Sequence, residues 1–132
     1  MRYTLRRSFG FAFTGIKHAW KKERNLRLFA KCYVLVIGAG LFLRLLTWEW
    51  IAVLGAGFGF ITVELLNTAI ERLTDALDAN RKLDGTTGFH PLLKATKDVA
   101  AGASLVCLIL VMAILSLVFW PYARIIVGTL LR

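Results

Sequence analysis

The sequence predicts an all-α membrane protein: an N-terminal amphipathic surface helix followed by three transmembrane helices, in one domain of 132 residues. Three observations carry that expectation. Hydrophobic residues make up 58% of the chain, too many for an ordinary soluble domain of this size. They gather into long runs, and the run from Val99 to Trp120 holds no charge and would reach about 33 Å as a helix. Third, positive charge is concentrated at the start. Arg2, Arg6, Arg7, Lys17, Lys21, Lys22, Arg24, Arg27 and Lys31 face a single acid, Glu23.

The surface helix is expected over residues 1–28. Phe9, Phe13, Ile16 and Trp20 recur at helical spacing with Arg and Lys between them. Such a helix lies in the headgroup region, with its basic face toward anionic lipid. Gly10 and Gly15 weaken it and permit a break. Glu23 is placed to form a surface pair with Arg27 at i+4. The net charge of +9 would also suit nucleic acid, but the apolar runs favour a lipid surface and exclude that partner.

The first membrane helix is expected over 29–47, interrupted late by Arg44. Trp48-Glu49-Trp50 then reads as an interfacial turn, because Trp favours the headgroup level. The second helix is expected over 50–78. Residues 79–90, with Asn80, Asp84, Gly85, Thr86, Thr87 and Gly88, read as a loop. Pro91 suits the first turn of a third helix, expected over 91–120 and closed by Trp120-Pro121-Tyr122. Cys32 and Cys107 read as small buried hydrophobes. No cleavable leader is apparent.

Basic residues cluster before residue 32 and between 72 and 97, so the N-terminus and the loop near residue 85 are expected in the cytoplasm. Trp48, Trp50 and Trp120 then share the outer interface. Gly55, Gly57 and Gly59, with the Ala100–Ser104 stretch, offer close helix contacts and point to a homo-oligomer. Gly55-Ala56-Gly57-Phe58-Gly59 is not a nucleotide loop, since no strand precedes it and no Lys-Ser/Thr follows.

Against this background, residues 63–75 stand out. Glu64, Asn67, Glu71 and Asp75 fall within about 80° on a helix, making one polar stripe at membrane depth. Buried carboxylates there are costly and mark function. Counting from Trp50, Glu71 lies about 32 Å away, at the cytoplasmic interface, with Glu64 about 10 Å deeper. Counting from Trp120 places Asp98 and Lys97 at the level of Glu71, and Glu23 belongs there too. This set suits phosphoryl transfer. Mg²⁺ prefers carboxylates plus phosphate oxygens, a Lys steadies phosphate charge, and Glu64 is placed to act as general base for a lipid hydroxyl. A polar stripe across an oligomer interface and an ion path remain open on the same residues. The apolar outer halves of the spans, 51–61 and 105–119, argue against a pore.

Glu64-Leu-Leu-Asn67-Thr-Ala-Ile-Glu71-Arg-Leu-Thr-Asp75 resembles the signature of the small prokaryotic diacylglycerol kinase and undecaprenol kinase family. Trp20-Lys-Lys-Glu23-Arg24-Asn25-Leu26-Arg27 and Lys97-Asp98-Val-Ala-Ala-Gly102-Ala look like its two other segments, and the likeness runs from Ser8 to Trp120. The resemblance implies a homotrimeric integral kinase of the bacterial cytoplasmic (inner) membrane that uses ATP with Mg²⁺. It implies Glu64 as catalytic base and Glu23 and Glu71 as metal ligands beside the ATP phosphates. It implies nucleotide contacts at His90, Lys97, Asp98 and Phe11, the last standing where some members carry Tyr. Asn67 and Asp75 would support the site.

The acceptor implied is a membrane lipid alcohol. Glu23–Arg27 and Asp98–Ala103 look more like members that phosphorylate undecaprenol than like those that phosphorylate diacylglycerol, and the stretch Asp78–Phe89 is long for the latter. The alternative from another class is a non-enzymatic oligomeric interaction or ion-path module.

Overall fold

The computed structural model describes residues 4–83, 85 and 87–131. Arg2, Asp84 and Thr86, named above, lie outside the described residues. The described chain is helical throughout its elements: α1 (Leu5–Lys22), α2 (Arg24–Leu43), α3 (Thr47–Leu83) and α4 (Pro91–Leu130). Three of these, α2, α3 and α4, are long and apolar enough to cross a membrane. At 1.5 Å per residue α3 reaches about 55 Å and α4 about 60 Å, so both exceed a hydrocarbon core of about 30 Å.

α1 runs unbroken through Gly10 and Gly15 but stops earlier than expected. Glu23 adopts extended backbone, φ −87° and ψ 109°, and separates α1 from α2. The reason lies in Arg27. Its Nη1 donates to the Trp20 and Lys21 carbonyls at 2.8 and 2.9 Å, so it caps the orphan C-terminal carbonyls of α1 instead of pairing with Glu23. Glu23 turns to Arg72 on α3, at 4.0 Å. Residues 24–28 therefore belong to α2, not to α1 as expected.

α2 ends at Arg44, held in the left-handed region with φ 57°, its N–H returning to the Gly40 carbonyl. The turn then folds onto Gly40, where an added Cβ would lie 2.9 Å from Leu45 and 3.0 Å from Trp50. Trp48-Glu49-Trp50 is not a separate turn but the start of α3. Glu49 Oε2 accepts the Leu46 N–H at 2.7 Å, satisfying a donor at the helix N-terminus. The same oxygen accepts the Tyr122 hydroxyl at 2.6 Å.

α3 and α4 form an antiparallel pair fixed at both ends. Glu49–Tyr122 joins one end and Asp75–Lys97, at 2.8 Å, the other. The two contacts are about 26 residues apart on α3 and about 25 on α4, or about 39 and 38 Å, so the register does not slip between them. Beyond Asp75, α3 continues to Leu83 and takes in residues expected in the loop. Lys82 and Arg81 pair with the buried Asp78 at 2.7 and 3.8 Å, and their charge complements the helix C-terminus. α4 likewise passes Pro121 and ends at Leu130. Pro121 removes one donor, and the helix continues past it with Tyr122 anchored on Glu49.

The core lies between α2, α3 and α4. It is built from Tyr33, Val53, Phe60, Val111 and Val118, and Val53 is fully buried. Phe29 packs on the Phe60 ring at 4.1 Å and on Tyr33 at 5.0 Å, while Tyr33 donates its hydroxyl to the Val53 carbonyl. Gly57 lets the Tyr33 ring in: a Cβ there would lie 2.6 Å from Cζ. In lipid such contacts stabilise by close packing and interhelical hydrogen bonds, because the tails outside are as apolar as the core. The outward surface is apolar in turn, with Leu35, Phe42 and Leu117 largely exposed. Both cysteines are free. Cys107 is half-buried, but Cys32 is exposed, because its position on α2 opens onto a groove rather than into the core.

Candidate active site

The site begins with the stripe on α3. Glu64 is buried, with 4% of its surface exposed. One turn on, Thr68 donates to the Glu64 carbonyl at 2.9 Å. Asn67 Nδ2 donates to Glu71 Oε1 at 3.3 Å and steadies that carboxylate. The Thr74 hydroxyl lies 3.0 Å from the Ile70 carbonyl and 2.9 Å from that of Glu71. The face of α3 adjoining the stripe receives α1, whose Ala12, Gly15, Ile16 and Ala19 line a narrow cleft with Leu65, Thr68, Ala69 and Arg72.

Glu64 opens onto a groove of about 610 Å³ between α2, α3 and α4. Its walls are mainly apolar, with Phe29, Phe60, Leu108, Met112 and Leu115 among them, and Glu64 is the one carboxylate in its described lining. A carboxylate at the wall of an apolar groove can accept a proton from a hydroxyl carried on a hydrocarbon chain.

Around Glu71 the surroundings are charged. Arg72, the next residue, reaches Glu23 at the α1–α2 junction. Asp75 accepts from Lys97 Nζ, which also stands 5.9 Å from the Phe89 ring centroid. The structure thus brings α3 next to Glu23 and next to Lys97. Neither His90 nor Asp98 pairs with the stripe among the described residues. His90 is the N-cap of α4, its Nδ1 accepting the Leu92 N–H at 3.2 Å. Asp98 is exposed one residue beyond Lys97, and Phe11 is exposed on α1.

Among the described residues, no three His, Cys, Asp or Glu side chains gather closely enough to hold a metal by themselves. The donors present, the Glu71 and Glu23 carboxylates and the Asn67 amide, are oxygens of the kind a hard cation takes together with phosphate and water oxygens. Asn67 Oδ1 is buried without a hydrogen-bond partner beside Glu71, an oxygen available to such a group.

Three features were not anticipated. Asp78 continues the stripe, since fourteen residues from Glu64 return it to within about 40° on the helix. It lies inside the helix expected over 50–78, and carrying the helical count three residues past Asp75 would have revealed it. Arg72 as the partner of Glu23 carries no local signal, because the two are joined only by the packing of α1 across α3. Ser104, buried at the groove wall, reads in sequence as one more small contact residue.

The sequence profile described as prokaryotic diacylglycerol kinase matches residues 10–119. Undecaprenol kinase of Bacillus subtilis (strain 168) is 36% identical over 115 residues, covering 87% of each chain. Diacylglycerol kinase of Synechocystis sp. is 36% identical over 103 residues, 77% of this chain and 54% of that one. Diacylglycerol kinase of Helicobacter pylori (strain J99) is 29% identical over 108 residues, 82% of this chain and 71% of that one. With the profile spanning most of the helical bundle and the stripe at its centre, the chain belongs to the prokaryotic diacylglycerol kinase family.

Proposed function

We propose that this protein is an ATP- and Mg²⁺-dependent lipid kinase that transfers the γ-phosphate of ATP to a membrane lipid alcohol, with undecaprenol as the acceptor. The observation that carries the reading is the placement of Glu64, a buried carboxylate on an apolar groove, two turns of α3 from Glu71 and its charged neighbours. A match to an undecaprenol kinase over 87% of both chains supports the acceptor. Diacylglycerol is the second reading, supported by the three relatives that carry the name diacylglycerol kinase.

In this reading Glu64 accepts the proton of the acceptor hydroxyl. The acceptor oxygen bonds to the γ-phosphorus, the bond to the β,γ-bridging oxygen breaks, and ADP leaves with that electron pair. Glu71 and Glu23 would hold Mg²⁺, which supplies charge neutralisation at the phosphates when bound. Lys97 counters phosphate charge, and Asp75 orients Lys97 through its 2.8 Å contact. Asn67 holds Glu71. Asp98, His90 and Phe11 complete the nucleotide contacts, His90 acting from the N-terminus of α4, where backbone N–H groups favour anions.

The protein works as a single domain over residues 1–132, as a homotrimer in the bacterial cytoplasmic membrane with its N-terminus in the cytoplasm. α1 is an amphipathic surface helix there: Phe9, Phe13, Ile16 and Trp20 are exposed on it, and its basic residues meet anionic headgroups. The exposed apolar faces of α2 and α4 supply the subunit contacts. The test is phosphate transfer from radiolabelled ATP by the purified protein in lipid, with undecaprenol and diacylglycerol side by side. Label in undecaprenol is expected; label in neither lipid overturns the proposal.

A further inference from the structure

Ser104 is the odd hydroxyl of this bundle. Thr14, Thr62, Thr68, Thr96, Ser116 and Thr129 each donate to the carbonyl four residues back, which is how helical hydroxyls are ordinarily satisfied in an apolar setting. Ser104 is 9% exposed, its Oγ is buried, and it has no hydrogen-bond partner among the described residues. It lines the same groove as Glu64, from the facing helix. The Asp75–Lys97 and Glu49–Tyr122 contacts fix the register of that face. They set Ser104 beside the turn Asn67–Thr68, one turn from Glu64 toward the Lys97 end, or about 6 Å along the axis. Tyr33, the other hydroxyl in the groove, is committed to the Val53 carbonyl.

An unpaired buried hydroxyl in a mainly apolar wall lowers stability, and a hydrogen-bonding ligand is one group that would satisfy it. The groove holds one carboxylate and one unsatisfied hydroxyl, separated by one helical turn across two helices. We infer that Ser104 is a positioning residue for the acceptor lipid: its hydroxyl hydrogen-bonds the acceptor oxygen and holds it between Glu64 and the phosphoryl donor. A rotation about χ1 turns the closed-off Ser104 Oγ toward that oxygen, to which it donates while the acceptor's own proton points to Glu64. It gains and loses no proton over the reaction. Its effect is on orientation of a lipid alcohol, not on the nucleotide. The inference rests on the lipid-kinase reading above.

The experiment compares wild type, Ser104→Ala and Ser104→Thr in lipid bilayers, with undecaprenol titrated at saturating ATP and ATP titrated at saturating lipid. In Ser104→Ala, kcat/KM for undecaprenol falls about tenfold, the size of one hydrogen bond lost in the reacting complex. KM for ATP stays as in wild type, and the thermal midpoint does not fall, because an unsatisfied buried hydroxyl has been removed. Ser104→Thr keeps the hydroxyl and recovers most of the lipid kcat/KM. An unchanged lipid kcat/KM in Ser104→Ala overturns the inference. So does a parallel loss of thermal midpoint and of both substrates' parameters, which marks a packing role. If wild type phosphorylates no lipid alcohol, the kinase reading falls first and the inference with it. If wild type is active and Ser104→Ala is indistinguishable from it, the inference alone falls.

Discussion

Lys97 Nζ lies 2.8 Å from Asp75 Oδ1, joining α4 to the polar stripe of α3 at the charged end of the bundle. The Asp75 side chain is 61% exposed, so the pair contributes little to stability, about 0–1 kcal/mol. Its value lies in aim: the contact holds a cation one turn from Glu71. Lys97→Met should therefore raise KM for ATP on the order of tenfold while shifting the thermal midpoint slightly. Asp75→Asn, which frees the Lys97 side chain without removing its charge, should raise it less. Steady-state kinetics at fixed lipid and varied ATP checks both; an unchanged KM in Lys97→Met removes this residue from the nucleotide site.

At the opposite end, Glu49 and Tyr122 predict a stability effect without a catalytic one. Glu49 is buried and its Oε2 serves both the Leu46 N–H and the Tyr122 hydroxyl. Tyr122→Phe removes one charge-assisted hydrogen bond, at a cost of about 1–2 kcal/mol. Glu49→Gln weakens both and should cost more. The double variant should lose less than the two single losses added together, because they share one contact. Thermal unfolding in a defined detergent measures this. Strict additivity would mean that the two residues do not act through each other.

Much of this architecture was legible in the sequence, and the exceptions have physical causes. Hydrophobic runs place α2, α3 and α4, and the helical repeat puts Glu64, Asn67, Glu71 and Asp75 on one face. The ends were less legible, because they depend on contacts between distant residues. Arg27 stops α1 by capping Trp20 and Lys21, a bond that no periodicity announces. Glu49 reads as a solvated acid between two tryptophans until Tyr122 is brought to it from α4. Asp78 was readable, since it lies on the same stripe inside the helix expected over 50–78; the polar composition of 79–90 hid only the continuation of α3 to Leu83. Ser104 was not readable as polar function, because a helical serine normally satisfies itself.

Gly57 gives a prediction about packing. A Cβ at that position would meet the Tyr33 ring at 2.6 Å from Cζ, whereas Gly55 and Gly59 face open space in the single chain. Gly57→Ala should destabilise by about 1–3 kcal/mol, since the ring of a buried residue must shift and its hydroxyl must leave the Val53 carbonyl. Tyr33→Leu in the same chain should restore part of the loss by clearing the ring. Gly55→Ala should be neutral within the subunit, and a fall in oligomer size on gel filtration would place that face at a subunit contact. Equal thermal midpoints for wild type and Gly57→Ala would contradict the close approach.

Glu64 and Glu71 should separate by the way their variants fail. Glu64→Gln keeps shape and burial but cannot accept a proton, so kcat should fall about 10²–10⁴-fold while KM for ATP is little changed. The protein should unfold at or above the wild-type midpoint, because a buried carboxylate has been replaced by a neutral amide. Glu71→Gln loses charge beside Asn67 and Arg72 and should act on the cation instead, raising the Mg²⁺ concentration needed for half-maximal rate. High Mg²⁺ should then recover part of the Glu71→Gln activity and none of the Glu64→Gln activity. Titrating Mg²⁺ for both variants under identical lipid conditions distinguishes the two roles. Recovery of Glu64→Gln by Mg²⁺ would move Glu64 from proton acceptor to metal ligand, and full activity in both variants would remove the stripe from the chemistry altogether.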